Sequence, residues 1–246
     1  MNDQHDGAGR GGESGPAATD DQEKVPIRDL LVSAAFELFT ERGYDSTTID
    51  DIVRRAGVGR RSFFRYFPTK EEVVFPDHER ALADMVRYLE EGAQDPDPVG
   101  RACGAARLVM RMYAENAEFS VKRYALTRKV AALNAYETSV VRRYERALAA
   151  YLKRRFATSP DGDVRAYTVA ASVVAAHNFG LRAWLRSGAR GDAAAGVDQA
   201  LDLVHRTWSD TGETLVLVTK SNTPRWQIIQ RLDEVLREEQ RGNQVP

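Results

Sequence analysis

The sequence predicts an all-α protein, with an N-terminal three-helix unit of the helix-turn-helix kind joined to a larger C-terminal helical body. Three observations lead there. From Ile27 onward apolar residues recur at helical spacing. Two short helical stretches meet at a tight turn, Gly57-Val58-Gly59. No succession of alternating strands and no repeat of fixed length is present.

Residues 1–24 hold little that would offset the entropy of ordering and are expected to be a disordered tail. Ile27, Leu30, Leu31, Ala34, Ala35, Leu38 and Phe39 then mark one face of a first helix, which Gly43 ends. Thr47 is the expected N-cap of a second helix, with Asp50 and Asp51 at the positive end of its dipole and Ile49, Ile52, Val53 and Ala56 as its buried stripe. A third helix runs from Arg60 to Phe67, where Pro68 stops it. Phe63, Phe64 and Phe67 are expected to anchor its inner face.

Thr69 and Glu72 form a capping-box pattern for the next helix, which Pro76 should kink before the stripe resumes at Leu82, Met85, Val86 and Leu89. After a loop marked by Pro96 and Pro98, helices are expected near 99–115, 117–134, 135–156, 163–187 and 193–210. This divides the chain into a tail (1–24), a helix-turn-helix head (25–72), a helical body (73–210) and an extension (211–246). In the extension, 214–219 reads as a strand or extended segment and Pro224 to Gln240 as one more amphipathic helix.

Composition narrows the class. At 246 residues, with 43% hydrophobic and 29% charged residues, the chain can bury a substantial core. Cys103 is its only cysteine, which excludes an internal disulfide and a Cys-rich metal site and fits a reducing cytoplasm. In its apolar surroundings Cys103 reads as a small buried residue. No apolar run approaches the length of a membrane span, and no secretory signal is evident. The glycine-rich, serine-nucleophile and zinc motifs of common enzyme classes are absent, and the four histidines are scattered, so neither an enzyme nor a cofactor is expected.

Net charge is only −1, so the placement of charge matters more than its sum. Between Arg54 and Lys70 there are six basic residues (Arg54, Arg55, Arg60, Arg61, Arg65, Lys70) and no acidic one. Clustered cations are what neutralising a phosphate backbone requires. Arg60 and Arg61 fall in the first turn of the third helix, where a recognition helix meets base edges, and arginine pairs bidentately with guanine. Ser62 can donate to phosphate or base, while Tyr66 and Lys70 lie further along, where phosphate contact is natural. The expected partner is double-stranded DNA.

These residues carry a resemblance. The stretch AAFELFTERGYDSTTIDDIVRRAGVGRRSFFRYFPTKEEVV, within Ile27–Leu89, resembles the N-terminal domain of the TetR family of bacterial regulators. The resemblance implies contact with bases or phosphates by Thr47, Thr48, Arg60, Arg61, Ser62, Tyr66 and Lys70. Two positions depart from the family pattern. Gly59 stands where a capping Ser is common, and Phe64 stands where a Tyr reaches phosphate, a role that Arg65 can share. The resemblance further implies a homodimer built through the helices near 163–187 and 193–210, and repression as the usual outcome.

Segment 163–187 is apolar nearly all round and is expected to be buried on most sides. A pocket for a small-molecule effector is expected among the middle helices. Met110, Tyr113, Phe119, Tyr124, Tyr167, Phe179 and Trp184 are candidates for its walls, and His177 and Asn178 for orienting a polar group. An architectural DNA-binding protein without an effector is the alternative left open.

Overall fold

A computed structural model describes residues 25–209 and Trp226. The expected tail 1–24 and the elements expected within 211–246, apart from Trp226, lie outside the described residues. The unit ending at Ser209 contains helices α1 (Ile27–Arg42), α2 (Ile49–Arg55), α3 (Arg60–Tyr66), α4 (His78–Glu91), α5 (Pro98–Glu115), α6 (Ala117–Thr127), α7 (Ala131–Arg155), α8 (Gly162–Arg186) and α9 (Ala195–Trp208). A short 3-10 turn at Glu72–Val74 separates α3 from α4. Among the described residues there is no strand, and no helix is long and apolar enough to cross a membrane.

Two apolar cores organise these helices. The smaller one gathers Leu31, Leu38 and Phe39 of α1, Ile52 and Val53 of α2, and Phe63 and Phe67 of the α3 region. Val73, Val74 and Phe75 belong to it as well, so this core extends past residue 72. Gly57 makes the α2–α3 turn possible, because its φ of 67° is a conformation that side chains with a Cβ rarely adopt. The larger core is built from α4, α5, α7, α8 and α9, with Met85, Leu89, Leu148, Leu152, Val169 and Leu201 at its centre. Cys103 lies there too. Its Sγ is 3.6 Å from the Leu201 carbonyl, and burial pushes its pKa up to about 11.

Several expectations need correction. Thr69 does not open a long helix. The Glu72 N–H does reach Thr69 Oγ1 at 3.4 Å, but only the 3-10 turn follows, and Pro76 delays α4 until His78. The break expected near residue 134 comes earlier, between Thr127 and Ala131. Val130 is extended there, and the break lets fully buried Leu133 enter the smaller core, with Leu126 and Val130 packed beside it. Leu30 and Val86 are exposed. So is one face of α8, where Val164 and Phe179 keep 70% and 69% of their surface.

α8 and α9 pack closely where Gly180 faces Gly196. A Cβ on Gly180 would lie 2.5 Å from the Val197 nitrogen, and backbone cannot move aside as a flexible side chain can. Gly180→Ala is therefore expected to force the two helices apart and destabilise the protein by about 1–3 kcal/mol. Urea unfolding should show a lower midpoint at an unchanged slope, whereas an unchanged midpoint would mean the helices yield freely.

Candidate nucleic-acid interface and buried cavity

The cap of α2 is Thr48, one residue later than expected. Thr48 Oγ1 accepts the Asp51 N–H at 3.2 Å, and Asp51 Oδ2 accepts the Thr48 N–H at 3.0 Å, a reciprocal capping box. The Thr48 hydroxyl also donates to Asp51 Oδ2 at 2.7 Å. These hydrogen bonds, with help from Arg42, hold the Asp51 carboxyl down at about 2. Thr47 faces inward. It is 1% exposed, and its hydroxyl donates to the Gly43 carbonyl at 2.8 Å, which removes its side chain from any ligand outside.

α3 buries Phe63 completely and the adjoining Phe67 almost so. Phe64, expected on the same inner face, is exposed, because it lies about 100° round the helix from Phe63. The Arg60 guanidinium sits 5.5 Å from the Phe64 ring. Arg61, Ser62, Phe64 and Arg65 border a shallow hollow on the outer side of this helix. Gly59 gives it no side-chain cap, as its residue type implies.

The separation of charge seen along the sequence is not kept in space. Arg54 pairs with Asp51 at 3.1 Å. Arg55 pairs with Glu37 at 3.0 Å and Glu41 at 2.8 Å, and Arg60 pairs with both oxygens of Asp50 at 2.8 and 3.0 Å. Arg65 donates to the Tyr66 hydroxyl at 2.8 Å and lies 4.7 Å from its ring. Arg61 is exposed and has no hydrogen-bond or ion-pair partner among the described residues.

Lys70, expected to meet phosphate, is engaged internally. Its Nζ donates to the Tyr44 and Thr47 carbonyls at 2.9 Å each and lies 3.9 Å from the Tyr44 ring. The Tyr44 hydroxyl in turn donates to Glu71 at 2.7 Å. Lys70 thus ties the α1–α2 connection to the segment after α3.

A cavity of about 40 Å³, open towards solvent, lies among α4, α5, α7 and α8. Of the expected wall residues, Tyr113, His177 and Asn178 line it. Met110, Phe119, Tyr124, Tyr167, Phe179 and Trp184 do not. Met110 and Trp184 are core residues. The Phe119 ring packs at a tilt against Phe36 of α1 with centroids 4.7 Å apart, Tyr124 packs at the edge of the core, and Tyr167 and Phe179 are exposed. Aromatic character does not tell a cavity wall from a packed or outward face.

His78, Glu137 and Tyr144 also line the cavity, and sequence reasoning missed them. The signal available was a polar residue on an otherwise apolar helical face. His78 Nδ1 is 3.1 Å from the Tyr144 hydroxyl, and its Nε2 is 3.4 Å from the Tyr113 hydroxyl. Burial holds the pKa of His78 well below the usual histidine value and that of His177 down at about 4, so both rings are neutral. Burial raises Glu137 towards its protonated form. Behind Tyr113, buried Arg123 lies 4.4 Å from that ring, 5.5 Å from Phe119 and 6.0 Å from Phe75.

A short exposed helix packed across a tight turn onto a supporting helix, in front of a helical body with a cavity, defines a helix-turn-helix DNA-binding transcriptional regulator. The chain belongs to the TetR family. Residues 31–75 match the profile of the bacterial regulatory proteins of the tetR family, and residues 97–209 match that of the MftR C-terminal domain. The chain is 35% identical over 83 residues to the HTH-type transcriptional regulator TcmR of Streptomyces glaucescens, a match covering 34% of this chain and 37% of that protein. It is 27% identical over 157 residues to the putative mycofactocin biosynthesis transcriptional regulator MftR of Mycobacterium tuberculosis, covering 63% of this chain and 78% of that protein. A putative TetR-family regulator from Syntrophomonas wolfei has the same fold, with a TM-score of 0.57 and 22% identity over 78% of this chain and 98% of the other.

Two outcomes are expected. Lys70→Ala leaves two carbonyls without their charged donor and should lower stability by about 1–3 kcal/mol, measurable by thermal or urea unfolding. For the buried histidines, the unfolded chain takes up protons near 6.5 that the folded chain refuses, so the sign is destabilisation on acidification. For His177 the loss should begin as pH drops through 6.5 and level off below about 4. Unfolding free energies measured across that window should fall less steeply for His177→Gln than for the unchanged protein.

Proposed function

We propose that the protein is a repressor that binds a near-palindromic operator as a homodimer and releases it when a small molecule enters the cavity. The observation that carries the DNA half is Arg61, an exposed guanidinium on the outer face of α3 with no partner to give up. In the major groove it would read guanine, with Arg65 and Ser62 beside it. Arg60 would join after leaving Asp50, a surface pair whose loss costs only about 0–1 kcal/mol. Thr48 and Tyr66 are assigned to phosphates, and Lys70 to positioning the α1–α2 connection rather than to DNA.

Pairing is assigned to α8 and α9. Val164, Tyr167 and Phe179 on α8 and Leu203 on α9 are large apolar side chains exposed on the single chain, and a second copy would cover them. A two-fold axis there would present two α3 helices to half-sites about one helical turn apart, near 34–36 Å. The effector half rests on the cavity, which combines apolar walls with a few convergent polar groups.

Genomic footprinting would supply the operator, and gel shifts would then test the reading. Arg61→Ala should weaken operator binding by about 5- to 150-fold, the equivalent of one lost bidentate base contact, and weaken binding to random duplex less. Equal losses on both would refute base reading by Arg61. No binding to any duplex at low ionic strength would refute the proposal as a whole.

A further inference from the structure

We infer that Phe64 is a specificity-determining residue of α3, placed to pack against the C5 methyl group of a thymine within about two base pairs of the guanine assigned to Arg61. This rests on the DNA half of the reading above and adds a second base to it.

Phe64 keeps 43% of its surface exposed, although its neighbours in the aromatic run, Phe63 and Phe67, are buried. Those two already fill the space between α3 and the helices behind it. Among the described residues the Phe64 ring meets the edge of Phe63, with centroids 5.5 Å apart, and the Arg60 guanidinium, also at 5.5 Å. The other large exposed ring of α3, Tyr66, carries a hydroxyl that Arg65 engages. Phe64 has no polar atom to offer, so it cannot hold a phosphate oxygen as a hydroxyl or guanidinium does.

Its position puts it beside the reading side chains. At about 100° per residue it lies about 60° round the helix from Arg61, on the side away from Ser62, and all three border the same hollow with Arg65. With α3 in the major groove, the arginines draw the helix against the phosphates and the ring loses its water. Pressed on the polar edges of the bases, it would strip them of water and give no hydrogen bond in return. Base edges in that groove carry one apolar group, the thymine methyl, and contact with it takes apolar surface of both partners out of water. Residues three apart on a helix start about 5–6 Å from each other, and base pairs stack about 3.4 Å apart, so the thymine falls close to the guanine of Arg61. Sugar carbons are the other apolar surface of DNA, and packing there would carry no sequence information.

The test uses the operator duplex recovered by footprinting, with each thymine in turn replaced by deoxyuridine, which removes the methyl group and keeps the pairing. The guanine of Arg61 is located as the one at which 7-deazaguanine weakens the unchanged protein and leaves Arg61→Ala unaffected. In gel shifts at fixed salt, one thymine per half-site, within about two base pairs of that guanine, is expected to cost the unchanged protein about 4-fold in affinity when it loses its methyl. Phe64→Ala should bind the thymine and deoxyuridine duplexes alike, and Phe64→Leu, which keeps an apolar side chain, should retain part of the preference. Circular dichroism checks that the variants fold, and the deoxyuridine series on the unchanged protein needs no variant. If no thymine near that guanine is sensitive, or if the sensitivity persists undiminished in folded Phe64→Ala, this inference is overturned and the role of Arg61 stands. If the protein binds no duplex at all, the DNA reading falls and this inference with it.

Discussion

A helix of seven residues has almost no stability of its own in water, since the cost of nucleating it is not recovered over so few hydrogen bonds. α3 therefore exists because Phe63 and Phe67 are buried against α1 and α2. That one docking decides which way every other side chain of α3 points. Phe63 inward sends Arg61 and Arg65 outward, and the glycine turn before it sets the angle at which they are presented. Lys70 reinforces the arrangement from the far side by closing the α1–α2 connection with two hydrogen bonds. The reading surface is thus a consequence of a small aromatic core.

The ion pairs around that surface contribute something other than stability. Those of Arg54, Arg55 and Arg60 are exposed and add little to the folded state. What they do is hold three of the six basic side chains between Arg54 and Lys70 against acids of α1 and α2, which leaves a local surface less positive than the sequence alone suggests. Removing those partners costs little, so the guanidiniums are available when a polyanion approaches. An arginine with no partner, such as Arg61, is available at once.

Much of the fold was legible because helical burial is periodic. The α1 face, the Gly57 turn, the stop at Pro68 and the spans of α5, α8 and α9 follow from spacing and from glycine and proline chemistry. What was misread has a common cause: adjacent residues of one type occupy different faces. Thr47 and Thr48 have the same side chain, yet only the second meets Asp51 three residues on, while the first turns back to Gly43. Phe63 and Phe64 differ only by a step round the helix, and that step separates core from surface. The cavity was the least legible feature. Its walls come from four helices distant in sequence, and hydrophobicity alone does not separate a residue beside a void from one in a filled core. His78 and Tyr144 belong together only because α4 and α7 cross.

α7 runs unbroken for 25 residues, about 38 Å at helical rise. Close to its beginning, Leu133 is locked among the apolar side chains of the head, and about one to three turns further on Glu137, Val140 and Tyr144 border the void in the body. A straight helix transmits a push along its length rather than absorbing it. Whatever swells that void and displaces this strut also disturbs the packing beneath α3, with no intervening joint to take up the motion.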